Sequence, residues 1–561
     1  MQNHKILNIA PANLKLEGVL SKGLGMSCIL ARVLINRGIR DIKGAEKFLN
    51  PGLSDLFSAF DFSEMHKAVT IVKKAARNKD KVMVFGDYDV DGVTALAVVI
   101  SALVKLGFKP LHYLPHRVKE GYGLNKNIAH IARSKEIKLL ITVDCGTNSQ
   151  AQIKALRQEG VEVVITDHHE PLNSDPLFAS AAINPKLKSS NYPYRDLAGV
   201  GVAFKFAQAI TAEDRFEDLD LVSLGTIADV VPLTGENRII VKEGLSRIRR
   251  TKNIGLKALI ENSGIKDKEI TTGFVSYILG PRINASGRMD TAEVALRLLL
   301  SEETHEAQEL ARVIEGYNRQ RQKIESKIMQ EAEDLISREV NFKEQKVIVV
   351  AKDNWHQGVL GIVASKLADR FYRPTILISI TEDLCKGSGR SIKNFHLFQA
   401  LSECQDTLET FGGHSHAAGL VIARDNIEDF RVKINLLASQ RLRLEDLLPR
   451  LDIDMQVRLS ELDTHSVLEL ESLAPFGTGN PRPLFYTRGL KLKGNVQVLG
   501  RDTLKFWISD GQAACQAIGF GMGSFKESLI HAEGFSLVYS PKIDRWQGDD
   551  AVILEIEDIF F

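Results

Sequence analysis

Short apolar runs alternate with amphipathic stretches from about residue 80 to residue 235 of this chain. Lys81–Phe85 (KVMVF), Lys138–Val143 (KLLITV) and Val161–Thr166 (VEVVIT) each read as a strand buried on both faces. Strands of that kind, separated by helical segments, predict a parallel sheet covered by helices. Upstream, residues 1–75 have mixed periodicity and read as a helical lead-in broken at Asn50-Pro51-Gly52. Downstream, Ala307, Leu310, Ala311, Ile314, Tyr317, Ile324, Ile328, Leu335 and Ile336 recur at spacings of three and four. That is the stripe of one helix over residues 301–338, begun by Ser301 with Glu302 and Glu303 behind it. At 1.5 Å per residue it spans roughly 50 Å, enough to join two bodies.

A second α/β block follows, with strands at Lys346–Val350 and Pro374–Ile380 and a helix at Gly358–Arg370. From about residue 450 the pattern changes to short alternating runs: Gly494–Leu499, Thr503–Ser509, Ala513–Phe520, Phe535–Asp544 and Ala551–Ile556. Turn residues such as Gln547-Gly548-Asp549-Asp550 separate them, and a small β-barrel of the OB type is one fold that fits. The expected class is α/β. Its parts are the lead-in (1–75), a parallel-sheet domain (76–300), the long helix (301–338), a second α/β domain (339–445) and the barrel (446–561).

Composition narrows the picture only a little. A chain of 561 residues exceeds one core and predicts three or four domains. With 72 basic and 71 acidic residues the net charge is +1, so a polyanion partner would have to meet a local patch. No run of 18 apolar residues occurs, and the first residues (MQNHKILNIAPANLKLEG) lack the order of a signal peptide. Cys28, Cys145, Cys385, Cys404 and Cys515 are scattered without a CxxC pair, which fits the reducing cytoplasm. No GxxxxGK[ST] occurs, and Gly199-Val200-Gly201 and Gly519–Gly523 do not complete GxGxxG; ATP use is not indicated.

The chemistry sits where the three strands end. The first runs into Gly86-Asp87-Tyr88-Asp89-Val90-Asp91-Gly92, the second into Asp144-Cys145-Gly146-Thr147, the third into Asp167-His168-His169-Glu170. In open parallel sheets ligands bind beyond the carboxyl ends of the strands, so these groups can converge on one crevice. Gathered carboxylates repel unless cations neutralise them, and carboxylates with imidazoles suit Mn²⁺, whereas Mg²⁺ favours oxygen and water. Two such ions side by side form a device that cleaves phosphate esters. An Asp after a strand is also the ordinary N-cap of the next helix. Three strand ends loaded alike outweigh that reading.

Asp167-His168-His169 matches the name-giving signature of the DHH phosphoesterases, and Gly86–Gly92, Asp144-Cys145-Gly146 and Ser223–Leu233 (SLGTIADVVPL) resemble their other motifs. Pro281–Met289, Asn318–Gln322, Trp355–Leu367, Gly387–Ser391, Gly412–Gly419 and Leu473–Phe485 resemble, in order, the RecJ exonucleases of that superfamily. The resemblance implies a DHH domain, a DHHA1-type domain and an OB-like barrel. It implies a single-stranded-DNA exonuclease running 5′→3′, releasing mononucleotides in recombination and repair. It makes Asp89, Asp91, Asp144, His168 and Asp229 ligands of two divalent cations, Mn²⁺ or Mg²⁺, with Asp144 bridging. Asp87 would ligate or orient, and His169 would face the scissile phosphate or the neighbouring ion.

For holding DNA, Arg282 and Arg288, with Asn284 between them, are read as lying in a loop marked by Pro281 and Gly287, and arginine forks match phosphate oxygens. Gly387-Ser388-Gly389-Arg390-Ser391 is read as a loop fit to nest an anion. The resemblance makes Arg117, Ser388 and Arg390 holders of the 5′-phosphate and Tyr122 a base-stacking residue, and likens Gly412-Gly413-His414 to a substrate-binding loop. A helicase and a single-strand-binding protein are the expected partners. Two other readings stay open: a phosphoesterase acting on small molecules, disfavoured by the long helix and the barrel, and an inactive scaffold, disfavoured by the complete ligand set.

Overall fold

The computed structural model describes residues 5–172, 178–381, 384–500, 502–544 and 551–561, and the chain divides into two compact units. One comprises residues 57–229 and 244–449; the other comprises residues 5–56, 230–243 and 450–561. The first strand, β1 (Ile6–Ile9), and the helices Leu14–Leu24, Cys28–Asn36 and Ile42–Leu49 belong to the second unit.

The first unit is built on a parallel sheet of β2 (Val82–Gly86), β3 (Leu111–Tyr113), β4 (Leu139–Val143), β5 (Glu162–Thr166) and β6 (Ala181–Ile183), ordered β3-β2-β4-β5-β6. The three runs expected as strands are its centre. The three-residue β3 and β6 are too short to show a period. On one face Met83, Phe85, Leu140, Val163 and Ile165 pack with Ile128, Ala132, Ile153 and Leu156 of two covering helices. The Val90–Lys105 helix lies against β2 and packs on the Gly199–Thr211 and Leu219–Ala228 helices.

The long helix runs over Thr304–Glu339, 36 residues and about 54 Å. It begins three residues later than its pattern suggested, because Ser301 Oγ bonds the Glu303 carbonyl and the Glu306 carboxylate from outside. Its first half packs on Ile254–Asn262, Gly280–Met289 and Glu293–Leu300. Ile328, Ala332 and Ile336 in its second half join Val350, Trp355, Val359 and Leu360 in the core of the next domain.

That domain holds β7 (Ile348–Asp353), β8 (Thr375–Ile380), β9 (Cys385–Arg390), β10 (Thr410–Gly413) and β11 (Ala417–Ile422) in the order β10-β11-β9-β8-β7. Two expected loops are regular structure. Residues 387–390 belong to β9, whose backbone is engaged by β8 and β11, so no nest of free N–H groups forms there. Its glycines serve packing: a Cβ on Gly387 would lie 2.9 Å from Leu420 Cδ1, and one on Gly389 2.8 Å from Leu397 Cδ2. Arg282, Asn284 and Arg288 lie on the helix Gly280–Met289, where Pro281 sits in the first turn and needs no partner for its missing N–H.

In the second unit β12 (Arg450–Ile453) pairs in parallel with β1. β13 (Met455–Gln456), β14 (Phe485–Leu499), β15 (Thr503–Ser509), β16 (Ala514–Phe520), β17 (Phe535–Asp544) and β18 (Ala551–Phe560) follow, and pairing of β14 with β17 closes a five-stranded barrel. The expected turn at Gln547–Asp550 lies outside the described residues. Leu20, Leu30 and Leu34 of the first helices share one core with Phe485, Leu504, Phe506 and Tyr539 of the barrel. The lead-in therefore divides, since its last helix, Met65–Asn78, packs in the first unit against β6 and the Gly199–Thr211 helix. Buried Arg238 donates to the carbonyls of Phe48, Leu473, Ser472 and Ala474 at 2.8–3.2 Å, tying the three segments of the unit together. No single helix among the described residues is long and apolar enough to cross a membrane.

Candidate active site

The carboxyl ends of β2, β4 and β5 bring their acids and imidazoles together, and Asp229 joins them from the end of the Leu219–Ala228 helix. Donor atoms of Asp91, His168 and Asp229 form one triad within 4.8 Å, those of Asp87, Asp89 and Asp144 a second, and those of Asp144, His168 and His169 a third that shares a residue with each. His168 Nε2 links them, 3.3 Å from Asp144 Oδ1, 3.6 Å from Asp229 Oδ2 and 3.9 Å from Asp91 Oδ2. Asp87 is thus placed with Asp89 and Asp144 rather than set apart from them. Asp89 also caps the Val90–Lys105 helix through Gly92 N at 3.1 Å, so the capping and ligand readings are compatible in one residue.

The backbone sets these side chains. Asp144 turns out of β4 at φ +58°, a left-handed conformation that Asp tolerates better than most residues. Asp91 is clamped by the start of the Gly199–Thr211 helix, with Gly199 N 2.7 Å from Oδ2 and Val200 N 2.8 Å from Oδ1. Gly199 approaches so closely that a Cβ there would lie 2.4 Å from Asp144 Oδ1.

Burial followed by mutual repulsion raises the pKa of four of these carboxyls. Asp87, Asp144 and Asp229 are pushed well above the usual range, and Asp91 to about 7 despite its two N–H donors. Burial pushes His168 down to about 3, leaving its imidazole neutral and able to donate an electron pair. Among the described residues no lysine or arginine pairs with any of the five aspartates. The buried atoms Asp87 Oδ1, Asp144 Oδ1 and Asp229 Oδ2 have no hydrogen-bond partner. Buried, partnerless carboxylate oxygens beside a neutral imidazole are the donor set of a divalent-cation centre, and triads that meet at Asp144 and His168 fit two neighbouring ions.

Asp167, which sequence reasoning did not assign, has a different task. It accepts from the backbone of Thr147 (2.9 Å), His168 (2.7 Å) and His169 (3.1 Å), and lies 2.8 Å from His169 Nδ1. Against the effect of burial, Asp167 raises the affinity of His169 for a proton, while the His169 charge holds Asp167 low. The signal that could have found it is chemical: an imidazole near a metal usually leans on a carboxylate, and Asp167 directly precedes the histidine pair. Tyr122, expected to stack on a base, is half-exposed and its hydroxyl lies 2.9 Å from His169 Nδ1 and 3.2 Å from the Asp144 carbonyl.

A second cluster is cationic. Arg117 lies 4.7 Å over the Tyr88 ring, and Arg288, bonded to the Gly358 carbonyl at 2.8 Å, is held low by burial and then by Arg117, Arg390 and Arg321. Arg390 Nη1 lies 3.4 Å from Ser388 Oγ. Among the described residues none of Arg117, Arg288 and Arg390 meets a carboxylate, so their charges oppose one another uncompensated. Arg282 differs: Glu315, at 2.8 Å, and the Ile278 carbonyl, at 2.9 Å, occupy it. Asn284 Oδ1 is buried without a partner. His414, beyond exposed Gly412 and Gly413 at the end of β10, feels the charges of His169 and Lys186 and so comes near the metal ligands.

The DHH family N-terminal domain matches residues 81–226, the DHHA1 domain residues 344–440 and the RecJ OB domain residues 453–558. A single-stranded-DNA-specific exonuclease RecJ from Bacillus subtilis is 39% identical over 96% of this chain and 69% of its own. The crystal structure of RecJ with Mn²⁺ from Thermus thermophilus superposes with TM-score 0.85 at 28% identity, covering 100% of this chain and 80% of that one. Its Mg²⁺ complex gives TM-score 0.79 at 27% identity, over 100% and 79% of the two chains. The three domains and their order agree, and the chain belongs to the RecJ family of DHH phosphoesterases.

Proposed function

We propose that this protein is a metal-dependent exonuclease that degrades single-stranded DNA from the 5′ end and releases 5′-mononucleotides, serving recombination and repair in the cytoplasm. The observation that carries the reading is the pair of donor triads joined across the 3.3 Å between His168 and Asp144, with an unpaired guanidinium cluster alongside.

Asp87, Asp89 and Asp144 would hold one divalent ion and Asp91, His168 and Asp229 the other, with Asp144 shared. Bound there, Mn²⁺ or Mg²⁺ supplies Lewis acidity and a nucleophile at neutral pH. Every other task belongs to side chains. Arg117, Ser388 and Arg390, backed by Arg288, take the terminal 5′-phosphate and set the register of the next phosphodiester. His169, with Nδ1 committed to Asp167, presents Nε2 toward the scissile phosphate and stabilises charge on its oxygens. No side-chain nucleophile is required, because attack by water inverts phosphorus directly. A helicase that opens duplexes and a protein that coats single strands are the partners this activity calls for.

The test uses single strands labelled at either end, with Mn²⁺, Mg²⁺ or chelator. The expected outcome is early release of a labelled mononucleotide from the 5′-tagged strand only, abolished by chelator. Early loss of the 3′ label, or faster cleavage of a dinucleotide than of any longer strand, would overturn the reading.

A further inference from the structure

The five strands of the first sheet end side by side in the order β3-β2-β4-β5-β6, and the residues beyond them form a row. Beyond β3 comes the loop with Arg117; beyond β2, Asp87 and Asp89; beyond β4, Asp144; beyond β5, His168 and His169. The last strand, β6, leads into Asn184-Pro185-Lys186. A cation thus stands at each end of a row whose middle is the metal centre.

Lys186 is firmly placed. Asn184 Nδ2 donates to Thr147 Oγ1 and to the His169 carbonyl, both at 2.9 Å, and Asn184 Oδ1 accepts from Lys186 N at 2.8 Å. Arg195 holds the Lys186 carbonyl at 3.1 Å. The Lys186 side chain is 19% exposed, yet its ion pair is loose: Glu170 is 3.8 Å away and 65% exposed. Its charge reaches His168, Asp229 and His414. A largely covered ammonium with so weak a partner is under-compensated, and an anion drawn between Lys186 and His414 would complete it. From β4 to β6 is two strand spacings, about 10 Å.

We propose that Lys186 binds the DNA phosphate that follows the scissile one, so that the single strand lies along the carboxyl edge of the sheet from β3 toward β6. This subsite rests on the reading that Arg117, Ser388 and Arg390 hold the 5′-phosphate.

Chain length separates the subsite from the metal centre. A 5′-phosphorylated dinucleotide carries only the terminal and scissile phosphates; a trinucleotide adds the next. With Lys186→Gln, kcat/KM for the trinucleotide and for a 12-mer should fall about ten-fold, through KM, as for one lost charged contact. Dinucleotide hydrolysis and Mn²⁺ affinity, read by electron paramagnetic resonance, should stay within about two-fold of wild type, less than one such contact. Lys186→Arg should restore most of the loss. The slope of log affinity against log salt for the 12-mer, measured by anisotropy under chelator, should become shallower by about 0.7. An equal loss on dinucleotide and 12-mer, a fall in Mn²⁺ affinity, or an unchanged trinucleotide would overturn the proposal. A wild-type protein that cuts none of the three would instead sink the exonuclease reading, and this subsite with it.

Discussion

Replacing Gly199 by alanine adds one methyl group where the start of a helix passes close to Asp144. The new Cβ would lie 2.4 Å from Asp144 Oδ1 and 2.8 Å from its Cβ and Cγ. Ordinary contacts begin near 3.5 Å, so the carboxylate must retreat by about 1 Å. It has nowhere neutral to go: His168 Nε2 is 3.3 Å from the same oxygen, and Asp144 already sits at φ +58°. The helix start would shift too, loosening the 2.7 Å bond from Gly199 N to Asp91 Oδ2. Ligands of both triads would be disturbed together. Overpacking of this kind destabilises by about 1–3 kcal/mol, and a 1 Å error in position lowers a rate about 100-fold. Isothermal titration with Mn²⁺ should show at least ten-fold weaker binding, and single-strand cleavage should fall about 100-fold, with the circular dichroism unchanged. Gly201→Ala is the control, because its Cβ would meet only the Leu197 side chain, Cδ2 being nearest at 3.2 Å. If Gly199→Ala bound Mn²⁺ and cut DNA like wild type, the steric argument and the bridging place of Asp144 would both be wrong.

Three further outcomes are expected. Asp167→Asn should lower the His169 pKa seen by NMR and destabilise the protein by about 1–3 kcal/mol in urea unfolding, since a buried acceptor of several N–H groups is compromised; an unmoved His169 titration would refute its role. The ion-free protein should lose stability as pH rises from 4 to 8: the Asp91 carboxyl moves from an ordinary 3.8 to about 7 on folding, so the folded state binds more protons across that window. Ionising it above pH 7 removes on the order of 4 kcal/mol, an upper bound for so crowded a site. Saturating Mn²⁺ should reverse the slope, and thermal melts at pH 5 and pH 8 with and without chelator would settle the sign. Arg390→Ala should raise KM about ten-fold for 5′-phosphorylated strands and far less for 5′-hydroxyl strands, as for one charged hydrogen bond; equal losses on both would place Arg390 elsewhere.

The parts of this molecule legible from sequence are those in which a single segment carries its own signal. β2, β4 and β5 are almost wholly buried apolar runs, and each ends in its chemistry within two residues or so. The helix Thr304–Glu339 shows its period over 36 residues. What escaped depends on partners far along the chain. Gly387 and Gly389 read as a loop, yet they are strand residues because Leu420 and Leu397 occupy the space their side chains would need. Arg282–Arg288 read as a loop because of Pro281 and Gly287, although a proline in the first turn is compatible with a helix. Asp167 stands out only as part of its motif and Lys186 not at all, since their roles lie in what β5 and β6 bring beside them.

The second unit is woven from three stretches, residues 5–56, 230–243 and 450–561, with Arg238 fastening carbonyls from the other two. On the ribosome the early helices must wait through nearly four hundred residues before the barrel that shelters Leu20, Leu30 and Leu34 emerges, on the order of half a minute or more at ordinary translation speeds. By Pro449 every segment of the first unit has already been made. A newborn chain is therefore exposed to chaperones and proteases mainly at its amino-terminal helices, and shortening the barrel would orphan them.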